Sequence, residues 1–219
     1  MKSMIVSPSI LVCDYLHLEQ ELEKIRDAGC SWIHLDVMDG HFVPNLSFGN
    51  IFFEKLFAKI NFTKDVHLMV EDPISFVKKF AKCGTDYLTF HYEACKDDNE
   101  VEAVIKEIHK YKMKAGLSIK PETPIEKVFP FLEKLDLVLV MSVEPGAGGQ
   151  KFIPETLNKI SALIDEIVEV QSKALISVDG GINDITGKDC LNIGADVLVA
   201  GNYLFSAPNF KERYDSLFK

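Results

Sequence analysis

The chain has 219 residues, 47% of them apolar, and a formal net charge of −9. The apolar content excludes intrinsic disorder, and the length is enough to bury a sizeable core. The acidic balance argues against nonspecific nucleic-acid binding, which needs a basic surplus to displace counterions, but it leaves room for a phosphorylated small molecule held by main-chain N–H groups. Cys13, Cys30, Cys83, Cys95 and Cys190 are odd in number, scattered and without a CxxC pair, so free thiols are expected rather than disulfides or a cysteine zinc site. The start, MKSMIVSPSIL, lacks the long apolar segment of a signal peptide, and no later run reaches membrane-spanning length. The expectation is a soluble, cytoplasmic protein.

In chain order, Met4–Leu11 reads as a first strand interrupted by Ser7-Pro8-Ser9. Asp14 is placed to cap a helix over Tyr15–Ala28, with Leu16, Leu18, Leu22 and Ile25 on its apolar side. A buried strand opens at Trp32, followed by a Gly-containing loop to Asn45 and a helical pattern over Ile51–Lys59. Lys64–Val70 is a third strand, Pro73 opens a helix ending near Cys83-Gly84, and Asp86–His91 is a fourth strand. Then come a helix over Asn99–Tyr111, a strand over Lys114–Ile119, a short helix from Pro124 and a very apolar strand over Leu135–Val143. The chain ends with a helix over Pro154–Val170, a strand over Leu175–Asp179, a helix over Asp184–Ile193, a strand over Asp196–Ala200 and a last helix over Pro208–Phe218.

Eight strand-like segments each precede a helical one, and no linker or low-complexity tract divides them. Strict alternation with near-continuous apolar strands means a parallel sheet covered by helices. Eight units predict one α/β domain over 1–219, a closed (β/α)8 TIM barrel with short loops.

A barrel of this kind carries its chemistry where strands end. Side chains alternate along a strand, so His34, Asp36 and Met38 share one face while Ile33, Leu35 and Val37 pack on the other. Asp65, His67 and Met69 share a face in the same way. His34 and Asp36 read either as a buried hydrogen-bonded pair supporting the loop or as two ligands of one cation. With His67 and Asp179 at the same end of the barrel, the set suits Zn²⁺, Fe²⁺, Mn²⁺ or Co²⁺, and ligand type does not choose among them. Three Gly-rich loops lie there too, Gly146-Ala147-Gly148-Gly149, Gly180-Gly181 and Gly201-Asn202. Glycine lets the backbone approach a ligand, and barrels often bind phosphate after strands 7 and 8, so the pattern points to an enzyme acting on a phosphorylated substrate. His17 and His109 read as surface residues, His91 as structural, His41 as shaping its loop, and Lys96–Glu100 as a solvated helix start.

The strings SPSIL, HLDVMDGHFVPN, DVHLMV, VMSVEPGAGGQKF, VDGGIN and ADVLVAGN occur in the order and spacing of the ribulose-phosphate 3-epimerases, which the chain resembles from near residue 5 to near residue 205. The resemblance implies interconversion of D-ribulose 5-phosphate and D-xylulose 5-phosphate in the pentose phosphate pathway, by two-base proton transfer at C3 through a metal-stabilised enediolate. It makes Asp36 and Asp179 the acid/base pair, and His34, Asp36, His67 and Asp179 the ligands of one divalent metal ion per subunit. Ser9 and His67 would contact the substrate, and the three Gly-rich loops would hold its phosphate. Met38, Met69 and Met141 match the family's methionines beside the reacting carbons; barrel-core packing is their plainer reading. The family also forms dimers or hexamers, and Ile51-Phe52-Phe53 could be core or interface.

Three positions depart from the family's pattern: Ala147 where an aromatic Phe is usual, Asn202 for the commoner Ser, and Lys120 where many members carry Asn. A roomier lid at Ala147 brings in the six-carbon relative, D-allulose 6-phosphate 3-epimerase, which shares the metal and carboxylate residues, while the retained DGG leans towards the pentose. Orotidine-phosphate-type decarboxylation or aldol chemistry would call for a DxKxxD string, and here Met38 stands at the Lys position of Asp36-Val37-Met38-Asp39. A non-catalytic sugar-phosphate sensor would be expected to lose an acid/base or ligand residue, and all four are present.

Overall fold

Apolar, β-branched runs form eight parallel strands in the computed structural model, which describes residues 4–218. The ends of the expected 1–219 domain, Met1–Ser3 and Lys219, lie outside the described residues. The strands are β1 (Ile5–Pro8), β2 (Trp32–Met38), β3 (Thr63–Met69), β4 (Tyr87–His91), β5 (Lys114–Ile119), β6 (Leu137–Met141), β7 (Leu175–Asp179) and β8 (Val197–Ala200). They run in the order β1-β8-β7-β6-β5-β4-β3-β2, and an isolated parallel bridge between Ser9 and His34 brings β1 back to β2. The result is the expected TIM barrel.

The helices are α1 (Leu18–Asp27), α2 (Asn50–Phe57), α3 (Ile74–Cys83), α4 (Asp98–Lys110), α5 (Thr156–Glu169), α6 (Asp184–Ile193), α7 (Asn202–Phe205) and α8 (Phe210–Ser216). Asp97 caps α4 by accepting the Glu100 N–H, and Asn183 with Thr186 forms a capping box on α6. No helix among the described residues is long and apolar enough to cross a membrane.

Several local expectations are corrected. The first strand stops at Pro8, which has no N–H to give a ladder, and Ser9 caps a 3₁₀ turn over Ile10–Val12. Tyr15–His17 is a 3₁₀ turn before α1, so Leu16 does not join the apolar side and is 91% exposed. The short helix expected from Pro124 is 3₁₀ and not α: between β5 and β6 the chain forms two single turns, Ile125–Lys127 behind Pro124 and Phe129–Phe131 around Pro130. The four-residue α7 was not expected. In the Ile51-Phe52-Phe53 run, Phe53 is core while Ile51 is 71% exposed.

The main core lies between barrel and helices, where Ile33, Leu35, Val66, Leu68, Leu88 and Phe90 meet α2, α3 and α4 residues such as Phe53, Phe80 and Val104. The barrel interior is filled as well. Trp32 stacks near Tyr87, with ring centroids 4.6 Å apart, and Leu137, Leu139 and Met141 pack with Trp32. A plugged interior leaves the C-terminal mouth as the place for a ligand.

Candidate active site

The site is built where β2 and β3 lie side by side. Their register sets His34 opposite Asp65, Asp36 opposite His67 and Met38 opposite Met69. An H-x-D-x-M strand thus faces a D-x-H-x-M strand, and each imidazole has a carboxylate as its lateral neighbour. Asp179, the last residue of β7, reaches the same point from across the barrel. One ligand atom from each of His34, Asp36, His67 and Asp179 lies within 4.8 Å of all the others.

The electrostatics of this cluster are strongly coupled. His34 donates Nδ1–H to Asp65 Oδ2 at 2.7 Å, while its Nε2 turns into the cluster, 3.4 Å from Asp36 Oδ1 and 3.9 Å from Asp179 Oδ2. His67 Nδ1 lies 3.2 Å from Asp36 Oδ1 and 4.0 Å from Asp179 Oδ2. Ser9 donates its hydroxyl to Asp36 Oδ2 at 2.7 Å. Burial by itself disfavours a charged His34, but the carboxylates of Asp65 and Asp36 outweigh it and raise the imidazole well above 6.5. Burial likewise opposes ionisation of Asp36, yet the charge of His34, with the hydrogen bond and charge of His67, holds that carboxyl well below the usual carboxylate range. Asp179 goes the other way: burial, and then the charge of Asp36, push it up to about 6.

This donor set fits a divalent cation. Two imidazoles and two carboxylates match the borderline metals. The buried His34 Nε2 makes no hydrogen bond although it points at the oxygen and nitrogen donors of the other three residues. Both imidazoles also have their far nitrogen engaged, His34 by Asp65 and His67 by His91, as ligating histidines usually do.

Above the cluster opens a cavity of about 270 Å³. Ser9, Asp36, Met38, Met69, Met141 and Asp179 line it, as do the loops Gly146–Gly149, Gly180–Gly181 and Gly201–Asn202, with Ala147 among them. His34 and His67 stand behind the carboxylates and do not line it. The loops are tied to one another: Asn45 donates its amide to the Gly146 carbonyl at 2.7 Å, and Ser142 Oγ donates to the Gly180 carbonyl at 2.6 Å.

Sequence reasoning missed three supporting residues. Asp65 holds His34, and the signal was there in the complementary H-x-D-x-M and D-x-H-x-M strands. Asp39 accepts the backbone N–H groups of His41, Phe42 and Glu71, pinning the loop after β2 to the loop after β3. His91, read as structural, is fully buried with Nε2 2.8 Å from His67 Nε2; burial pushes it down to about 4. His17, His41 and His109 are exposed. Lys120 sets its ammonium 4.3 Å from the Phe42 ring centroid.

Comparison with known proteins agrees with this geometry. The Ribulose-phosphate 3 epimerase family matches residues 5–205. Ribulose-phosphate 3-epimerase of Treponema pallidum is 43% identical over 207 residues, covering 94% of this chain and 93% of the relative. That of Mycobacterium tuberculosis is 42% identical over 203 residues, covering 93% and 86%. Among solved structures, KGPDC from Streptococcus mutans superimposes with a TM-score of 0.71 at 16% identity, covering 99% of this chain and 96% of that one. The 3-hexulose-6-phosphate synthase of Salmonella typhimurium gives a TM-score of 0.69 at 20% identity, covering 98% and 96%. These likenesses show the barrel alone; the sequence matches, spanning the strands and loops that build the cluster and its cavity, show more, and by them the chain belongs to the ribulose-phosphate 3-epimerase family.

Proposed function

We propose that this chain interconverts D-ribulose 5-phosphate and D-xylulose 5-phosphate in the pentose phosphate pathway, using Asp36 and Asp179 as the two acid/base groups and a divalent cation held by His34, Asp36, His67 and Asp179. The observation that carries the reading is the convergence of those four side chains, two of which, Asp36 and Asp179, line a cavity walled by three glycine loops. Inversion at a carbon next to a ketone needs one group to take a proton from one face and another to return one to the opposite face. At neutral pH that requires one carboxylate ionised and its partner able to hold a proton. The protein's own environment splits the pair in this sense: burial, and then the charge of Asp36, lift Asp179 to about 6, while the imidazoles of His34 and His67 hold Asp36 low. In the reverse reaction the two exchange roles. Ser9 steadies Asp36 through its hydroxyl, and Met38, Met69 and Met141 give the wall a dry, polarizable surface. A bound Zn²⁺, Fe²⁺, Mn²⁺ or Co²⁺ would supply Lewis acidity that offsets the negative charge developing next to the reacting carbon. The glycine loops would receive the phosphate with main-chain N–H groups.

The test is incubation with D-ribulose 5-phosphate and, separately, D-allulose 6-phosphate in deuterated water, before and after chelation. The expected result is product formation with deuterium at C3, faster on the pentose, lost on chelation and lost in both Asp36→Asn and Asp179→Asn. Faster turnover of the hexose would keep the mechanism and change the substrate, pointing to Ala147. No exchange on either sugar after each metal had been resupplied would sink the reading.

A further inference from the structure

His91 and Glu93 do not line the cavity, yet they extend the cluster onto β4 and the turn that follows it. His91 Nε2 lies 2.8 Å from His67 Nε2, and His91 Nδ1 lies 3.1 Å from Glu93 Oε2. The other carboxylate oxygen of Glu93 is also occupied, accepting the Lys120 N–H at 2.8 Å and the Thr123 hydroxyl. The loop bearing those two donors is itself clamped, because the Lys159 ammonium donates to the carbonyls of Lys120, Pro121 and Thr123. Glu93 therefore has one fixed orientation.

A chain of proton positions follows. A carboxylate only accepts, so the proton on His91 sits on Nδ1 and leaves Nε2 with a lone pair. Two ring nitrogens 2.8 Å apart share a single proton, which His67 must then supply from its Nε2. The proton that His67 Nδ1 shares with Asp36 Oδ1, 3.2 Å away, is then the one a cation displaces, and the lone pair so freed is directed at Asp36 and Asp179. We propose that Glu93, acting through His91, is the positioning residue that locks His67 in the tautomer able to ligate a divalent cation through Nδ1. Asp65 does the same for His34 directly; His67 has its carboxylate one imidazole further away. The proposal rests on the cation-dependent reading above.

Glu93→Gln tests it, since the shape is kept while the polarity is reversed. The amide oxygen stays with the Lys120 N–H and the Thr123 hydroxyl, which turns the NH2 group towards His91. Each donor and acceptor along the relay then inverts, and His67 keeps a proton on Nδ1 alone. Ring ¹⁵N spectra of the metal-free proteins at pH 8, with the His67 signals assigned by their loss in His67→Asn, are expected to show a protonated Nε2 in the parent and an unprotonated Nε2 in the variant. Calorimetry with Mn²⁺ is expected to show binding weaker by about 10–100-fold in Glu93→Gln. His91→Phe, which removes the relay and keeps ring volume, is expected to weaken Mn²⁺ binding by less. A protonated His67 Nε2 in Glu93→Gln, or Mn²⁺ binding at the parent level in both variants, would overturn the relay while leaving the cation reading intact. A parent protein that binds none of Mn²⁺, Zn²⁺ and Co²⁺ would overturn the cation reading and the ligand role of His67 with it.

Discussion

Replacing Gly181 and Gly149 by alanine, one at a time, separates backbone strain from lack of space at the cavity rim. Both glycines have left-handed backbones, with φ of +63° and +76°. A side chain forced into that region costs about 1–2 kcal/mol, so Gly149→Ala, whose new methyl would meet nothing within 4 Å, should cost only that. At Gly181 the methyl would lie 2.8 Å from the Cα of Phe152 and closer still to its backbone nitrogen. Backbone does not swing aside as a side chain does. The neighbouring segment is also held, by the Ile153 N–H to the Ser142 carbonyl at 2.9 Å, and Gly181 itself by the Thr186 hydroxyl on its carbonyl at 2.9 Å. Overpacking of this sort adds about 1–3 kcal/mol, which brings Gly181→Ala to about 2–5 kcal/mol. Urea denaturation measures both costs. Because Gly181 lines the cavity, the loops after β6 and β7 must part to admit the methyl, so KM for D-ribulose 5-phosphate should rise in Gly181→Ala. The reasoning fails if Gly181→Ala is no more destabilising than Gly149→Ala, or if its KM equals that of the parent.

Two further outcomes follow from the buried hydrogen bonds. Asp65→Asn keeps the volume beside His34 but removes the charge that orients it, so Mn²⁺ affinity measured by calorimetry should fall by about 10–100-fold; equal affinity would show that His34 needs no such partner. His91 is held neutral by burial, with its pKa lowered from 6.5 to about 4. Its contribution to stability is complete above pH 6.5 and is lost as pH falls from there through about 4, because the unfolded chain takes up the proton first. That depression corresponds to about 3 kcal/mol. Urea melts in chelator from pH 7.5 to 4 should steepen accordingly in the parent and flatten in His91→Gln, and parallel profiles would refute the assignment.

Much of this architecture could be read in advance because it depends on neighbours in the chain. Period-two alternation placed His34, Asp36 and Met38 on one face, whatever their partners. Errors gathered where local rules compete. Pro8 and Ser9 ended β1 early, the prolines after β5 replaced an α-helix with 3₁₀ turns, and the 3₁₀ start of α1 left Leu16 in solvent.

The amino-acid sequence by itself determined the eightfold β–α alternation, the chemistry of the residues at the strand ends and the family. Hydrophobic periodicity and turn residues act over a few positions, and a string such as HLDVMDGHFVPN is specific without any fold. Only the tertiary structure decided which nitrogen of each imidazole faces the cluster. His34 and Asp65 lie 31 residues apart, as do Asp36 and His67, while His67 and His91 lie 24 apart. Their contacts exist because β2, β3 and β4 pair in one register, and a shift of one residue would turn every one of these side chains to the other face of the sheet. Proton placement, and with it the capacity to hold a cation, is a property of that register.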